Sequence, residues 1–96
     1  MISEKDLERK FCHEAEKRGA MTFKFVSPGT SGVPDRICLA IGEHVFFAEI
    51  KKPGAKPRPL QQHVFRKIQK LGFRIWIIDS EASIQRCMEQ EFSEGG

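Results

Sequence analysis

The 96-residue chain has no acidic residue between Ile50 and Ile78. That gap holds Lys51, Lys52, Lys56, Arg58, Arg66, Lys67, Lys70 and Arg74, although the net charge is only +3. A basic middle flanked by carboxylates suggests a polyanionic partner; a solvated basic helix face is the plain alternative. No apolar run approaches the length of a membrane span. The first residues, Met-Ile-Ser-Glu-Lys-Asp, lack the apolar segment of a signal peptide, so a cytoplasmic protein is expected. Cys12, Cys38 and Cys87 are odd in number, form no CxxC, and share no zinc-finger spacing with histidine. They read as reduced thiols. Walker A, GxGxxG and GxSxG patterns are missing, as are internal repeats, so nucleotide cradles and Ser/His/Asp hydrolysis find no support.

What is present fits a single domain over residues 1–96, with 40% hydrophobic residues for its core and 30% charged residues for its surface. Ser3 can cap a first helix, with Asp6 three residues later and Leu7, Phe11, Cys12 and Ala15 as its apolar stripe. Glu4 and Glu8 share a face of that helix. Met21–Val26 alternates as a strand. The loop from Ser27 to Pro34, with two prolines and two glycines in eight residues, forbids regular structure and delivers the chain to Asp35. Asp35–Ile41 and Val45–Lys51 then read as an antiparallel hairpin about a short turn. Strand side chains alternate between faces, so Glu49 and Lys51 point the same way, and the open end of the hairpin can bring Asp35 beside them.

A basic loop, Pro53–Pro59, leads into a helix whose first turn suits Pro59. Leu60, Val64, Ile68 and Leu71 line one side of it, with Phe65 beside them and Gly72 at its end. Gln61 precedes Phe65 by four residues, which puts it on the packed flank. Phe73–Ile78 is an apolar strand, expected inside the sheet and parallel to the third strand through a β-α-β crossover. Asp79 or Ser80 caps a last helix to about Phe92, and residues 93–96 should fray.

Charged groups at a strand end are costly to bury unless they are paired or hold a metal. Two carboxylates with water and substrate oxygens suit Mg²⁺ or Mn²⁺. A neighbouring lysine can hold the attacking water or stabilise negative charge developing on phosphorus.

Pro34-Asp35, with Glu49-Ile50-Lys51 fourteen positions on, resembles the signature of the PD-(D/E)XK nuclease superfamily. The longer text resembles the VRR-NUC family: Gly32-Val33-Pro34-Asp35-Arg36-Ile37, Phe47-Ala48-Glu49-Ile50-Lys51-Lys52-Pro53-Gly54, and Leu60-Gln61 with Gly72 closing the helix. The likeness covers nearly the whole chain and is that of a stand-alone phage or bacterial member. It implies an α/β fold with a restriction-endonuclease-like core, in the order α-β-β-β-α-β-α, its small mixed sheet flanked by helices. Asp35 and Glu49 would bind metal, with the Ile50 carbonyl as a third ligand and Glu8, or Glu4, as the first-helix acid. Lys51 would be the catalytic lysine and Gln61, or Gln62, the supporting helix residue. Lys52, Lys56 and Arg58 would face DNA, with Lys24, Ser27 and Ser31 as weaker candidates. The implied activity is Mg²⁺- or Mn²⁺-dependent endonucleolytic cutting of DNA by a homodimer acting on four-way junctions. Nicking, flap or duplex cutting without junction preference is the alternative, as is a non-catalytic DNA-binding module.

Overall fold

The computed structural model describes residues 2–93. The expected fraying of residues 94–96 lies outside them. The elements are α1 (Glu4–Lys17), β1 (Met21–Lys24), β2 (Arg36–Ala40), β3 (His44–Ile50), α2 (Pro59–Lys70), β4 (Ile75–Ile78) and α3 (Glu81–Glu91). This is the mixed α/β order expected from the sequence. The sheet runs β1-β2-β3-β4; the first three strands are antiparallel, and β4 lies parallel to β3. None of the described helices is long and apolar enough to cross a membrane.

Local chemistry accounts for the helix ends. The Ser3 hydroxyl accepts from the Asp6 amide at 3.1 Å, and Gly19 takes a left-handed turn with φ 88° just past α1. Of the two candidate caps of α3, Ser80 is the one used; it exchanges hydrogen bonds with Ser83.

The sheet has two unlike faces. Cys38, Phe46, Ala48, Ile50 and Ile78 point to one side and pack with Leu7, Phe11 and Ala15 of α1 and Ile84, Cys87 and Met88 of α3. No α2 residue joins that cluster. α2 lies on the opposite side, where its buried residues are Gln61 and Phe65. Its packed flank is thus rotated from the expected one. Leu60 and Leu71, read as lining residues, stay exposed at its two ends. The rotation follows from where α2 sits. It covers β3 and β4, with Phe65 near Ile75 and Ile77, and leaves the β1–β2 half of this face bare.

That bare half inverts the usual pattern of a half-buried sheet. Met21 and Phe23 face outward beside their cross-strand partners Leu39 and Ile37. Met21 is 60% exposed, Phe23 45% and Leu39 41%. The alternate side chains, Thr22 and Arg36, turn inward to each other, with Arg36 Nε 3.0 Å from Thr22 Oγ1.

Candidate active site

The hairpin register brings the acids together. Arg36 pairs with Ala48, and one step outward Asp35 faces Glu49. Each carboxylate then accepts from the other strand's backbone. The Asp35 amide donates to Glu49 Oε1 at 3.1 Å, and the Ile50 amide donates to Asp35 Oδ2 at 2.9 Å. These reciprocal bonds close the ladder where β2 and β3 diverge.

Glu49 is 2% exposed. Burial, joined by the nearby Asp35 charge, raises its pKa above the ordinary carboxylate value; hydrogen bonds from Lys51 and Gln61 oppose the rise. Its Oε2 lies 3.1 Å from Lys51 Nζ and accepts from Gln61 Nε2 at 2.9 Å. Gln61 Oε1 accepts from Lys51 Nζ at 3.1 Å and from the Arg58 amide at 3.1 Å. One side chain therefore caps the α2 N-terminus and also fixes both Glu49 and Lys51. Gln62 instead donates to the Pro57 carbonyl at 2.7 Å on the exposed side. Of the two glutamines, Gln61 is the one bonded to Glu49 and Lys51.

The loop before Asp35 is pressed onto the same helix turn. A Cβ on Gly32 would stand 3.2 Å from the Leu60 carbonyl oxygen and 3.3 Å from Gln61 Cα, and its φ is +88°. Glycine alone meets both conditions without strain.

Asp35 is exposed and borders a cleft of about 340 Å³ lined also by Glu4, Glu8, Lys24, Phe25, Val26 and Ile50. Both candidate first-helix acids thus reach it. Glu8 is bound by Arg36 Nη1 at 2.9 Å, an ion pair with 26% and 12% of the two side chains exposed. Glu8 is thus paired with Arg36 and still on the cleft wall. Among the described residues no group of three or more His, Cys, Asp or Glu is gathered closely enough to hold a metal. Lys24 lines the cleft, Lys52, Lys56 and Arg58 are exposed on the loop that leaves β3, Ser27 is half-buried and Ser31 exposed.

Two residues escaped sequence reasoning. Arg36 positions Glu8 and Thr22; its signal was its place on the inward face with Cys38. Glu91, one of the carboxylates that flank the basic middle of the chain, has no exposed side-chain surface. It accepts from Arg74 at 2.7 and 3.0 Å, from Trp76 Nε1 at 2.6 Å, and meets His44 Nε2. Burial alone would raise its pKa; the hydrogen bonds from Arg74, Trp76 and His44 hold it below the ordinary value.

No family model matches the chain. It is 37% identical over 81 residues, 84% of this chain and 87% of the other, to a protein named "Putative nuclease p44" from Acyrthosiphon pisum secondary endosymbiont phage 1. A solved structure named "VRR_NUC domain" superposes with a TM-score of 0.86 at 23% identity, covering 90% of this chain and 94% of the other.

Proposed function

The chain belongs to the VRR-NUC family of nucleases, within the PD-(D/E)XK superfamily, and from that premise we propose that it is a Mg²⁺- or Mn²⁺-dependent, structure-selective DNA endonuclease, a homodimer resolving four-way (Holliday) junctions in the cytoplasm of a bacterial or phage-infected cell. The observation that carries the catalytic reading is the linked cluster of Asp35, Glu49, Lys51 and Gln61, of which Asp35 borders an open cleft.

The donor set fits a small hard cation. Asp35 is exposed, and with its Oδ2 taken by the Ile50 amide, Oδ1 is the oxygen it would offer an ion. Glu49 Oε1 accepts a single hydrogen bond and keeps a lone pair. Asp35 and Glu49 would hold the ion, with the Ile50 carbonyl as a third oxygen. Two carboxylates suffice because Mg²⁺ keeps several waters. When bound, the ion lowers the pKa of a coordinated water and offsets charge at phosphorus.

The remaining work falls to the chain. Lys51 rests on Glu49 and Gln61; moved by a short rotation, its ammonium can meet a non-bridging phosphate oxygen as negative charge develops there. Gln61 holds the resting ammonium through its Oε1. Water oxygen bonds to phosphorus in line and gives up a proton, the bond to the leaving sugar oxygen breaks, and the leaving oxygen takes up a proton.

The dimer reading is supported by the bare β1–β2 face. It carries no charge on Met21, Phe23, Ile37, Leu39 or Val45, so it can meet a second copy of itself across a two-fold axis without like-charge repulsion.

The test is to incubate a labelled four-way junction, a linear duplex and a flap with the protein in Mg²⁺, Mn²⁺ or EDTA. Metal-dependent cutting, strongest on the junction and reduced by orders of magnitude in Asp35→Asn and Lys51→Ala, is expected. Mg²⁺ or Mn²⁺ should also raise the melting temperature of the parent protein but not of Asp35→Asn. Binding without metal-dependent cleavage of any substrate would leave only a DNA-binding module.

A further inference from the structure

We propose that the outward face of α2 is a second DNA-contact surface, one that holds the phosphate backbone of a duplex arm lying outside the catalytic cleft. The inference rests on the nuclease reading above and adds a partner surface to it.

His63, Arg66, Lys67 and Lys70 recur at the spacing of one helix face, and all four are exposed. That face lies opposite the flank through which Gln61 and Phe65 are buried. Among the described residues, no acid pairs with Arg66, Lys67 or Lys70. Helix α1 behaves differently. Its Arg9 is paired with Asp6, its Lys10 with Glu81, its Lys17 with Glu14, and Arg18 at its end also with Glu14.

A basic helix face can be no more than a solvated surface, and the macrodipole explains cations in the last turn, Lys67 and Lys70. It does not explain the rest. The first turn of α2 has no acid, and Arg58 stands at its cap with Lys56 just before it. Positive charges there oppose the dipole and repel one another. An uncompensated row of this kind is offset when polyanion phosphates take the place of the missing acids.

The direction of the stripe separates it from the cleft. Gln61 touches Glu49 on the sheet side of α2, while Lys67 and Lys70 lie on the exposed side, with Arg66 at its edge near β4. The body of a helix, about 10 Å across, lies between them. A short linear duplex seated in the cleft leaves the stripe empty. An arm that diverges from the cut strand, as in branched DNA, can lie along it.

The experiment neutralises the stripe without disturbing the helix, using Arg66→Gln, Lys67→Gln and Lys70→Gln together, because glutamine is a good helix former. Circular dichroism confirms the fold. Binding is measured by fluorescence anisotropy in EDTA, over a salt series, for a four-way junction and for a linear duplex only long enough to fill the cleft. The expected result is an order-of-magnitude loss of junction affinity and a salt slope shallower by about two to three, with the short duplex unchanged. Arg66→Lys with Lys67→Arg and Lys70→Arg keeps junction binding. Unchanged junction binding overturns the proposal, and so does an equal loss on both substrates. Because these measurements need no cleavage, they decide the stripe even if the parent protein cuts nothing.

Discussion

Glu49 has to carry a charge in a place nearly without water. Its pKa is raised, mainly by burial, so the folded chain holds that proton more tightly than the unfolded chain does. Stability attached to this group therefore falls as pH rises from the ordinary glutamate value through the raised one. Glu49→Gln keeps the shape and the acceptor for the Asp35 amide but removes the charge. We expect the variant to melt no lower than the parent at pH 7, and above it in EDTA. The gap should close when both are acidified below the ordinary carboxylate range. Thermal melts at both pH values check this. A variant that melts well below the parent at pH 7 would mean that the bond to Lys51 outweighs the cost of burial.

At the scale of elements, α3 is fastened to the start of the sheet by Glu91. It joins β3 through His44 and β4 through Trp76, with Arg74 just ahead of that strand. Removing a buried carboxylate leaves three donors without their acceptor, and Glu91→Ala should cost about 2–4 kcal/mol. The sign with pH is opposite to that of Glu49. The depressed pKa gives stability that is present above the ordinary glutamate value and lost as pH falls through the lowered one. Urea melts at pH 7 and pH 3 should show the penalty of Glu91→Ala shrinking in acid. This network also marks a limit of sequence reading. Asp35, Glu49 and Lys51 were legible because strand period and hairpin register are local rules. Gln61 was legible from its distance to Phe65. Glu91 follows Cys87 and Met88 at helical spacing and so shared the buried stripe, but its partners come from two other elements. Charge counting along the chain assigns such a residue to the surface. The rotation of α2 was hidden for a similar reason, since which apolar residues of a helix are buried depends on how much of the sheet lies beneath it.

For the whole molecule, the telling asymmetry is a sheet covered fully on one face and by half on the other. An antiparallel pair with a free face ordinarily turns its polar side chains to water; here Met21, Phe23 and Leu39 are turned there instead. If a second copy covers them, Phe23→Asp with Leu39→Lys should shift the particle from dimer to monomer in light scattering. Paired incisions across a junction should fall with it, while nicking of a linear duplex persists. A double variant that remains dimeric would move the interface elsewhere.

The crossed bonds between Asp35 and Glu49 have a practical corollary. The acids that would handle the ion are also the last rungs of the hairpin. Alanine at either position empties the site and unfastens a strand end together, so a dead alanine variant confuses lost chemistry with lost shape. Amide replacements, Asp35→Asn and Glu49→Gln, keep an oxygen where each backbone donor needs one. Those are the forms to use as an inert trap that grips its DNA without cutting, and the form in which a bound substrate could be seen whole.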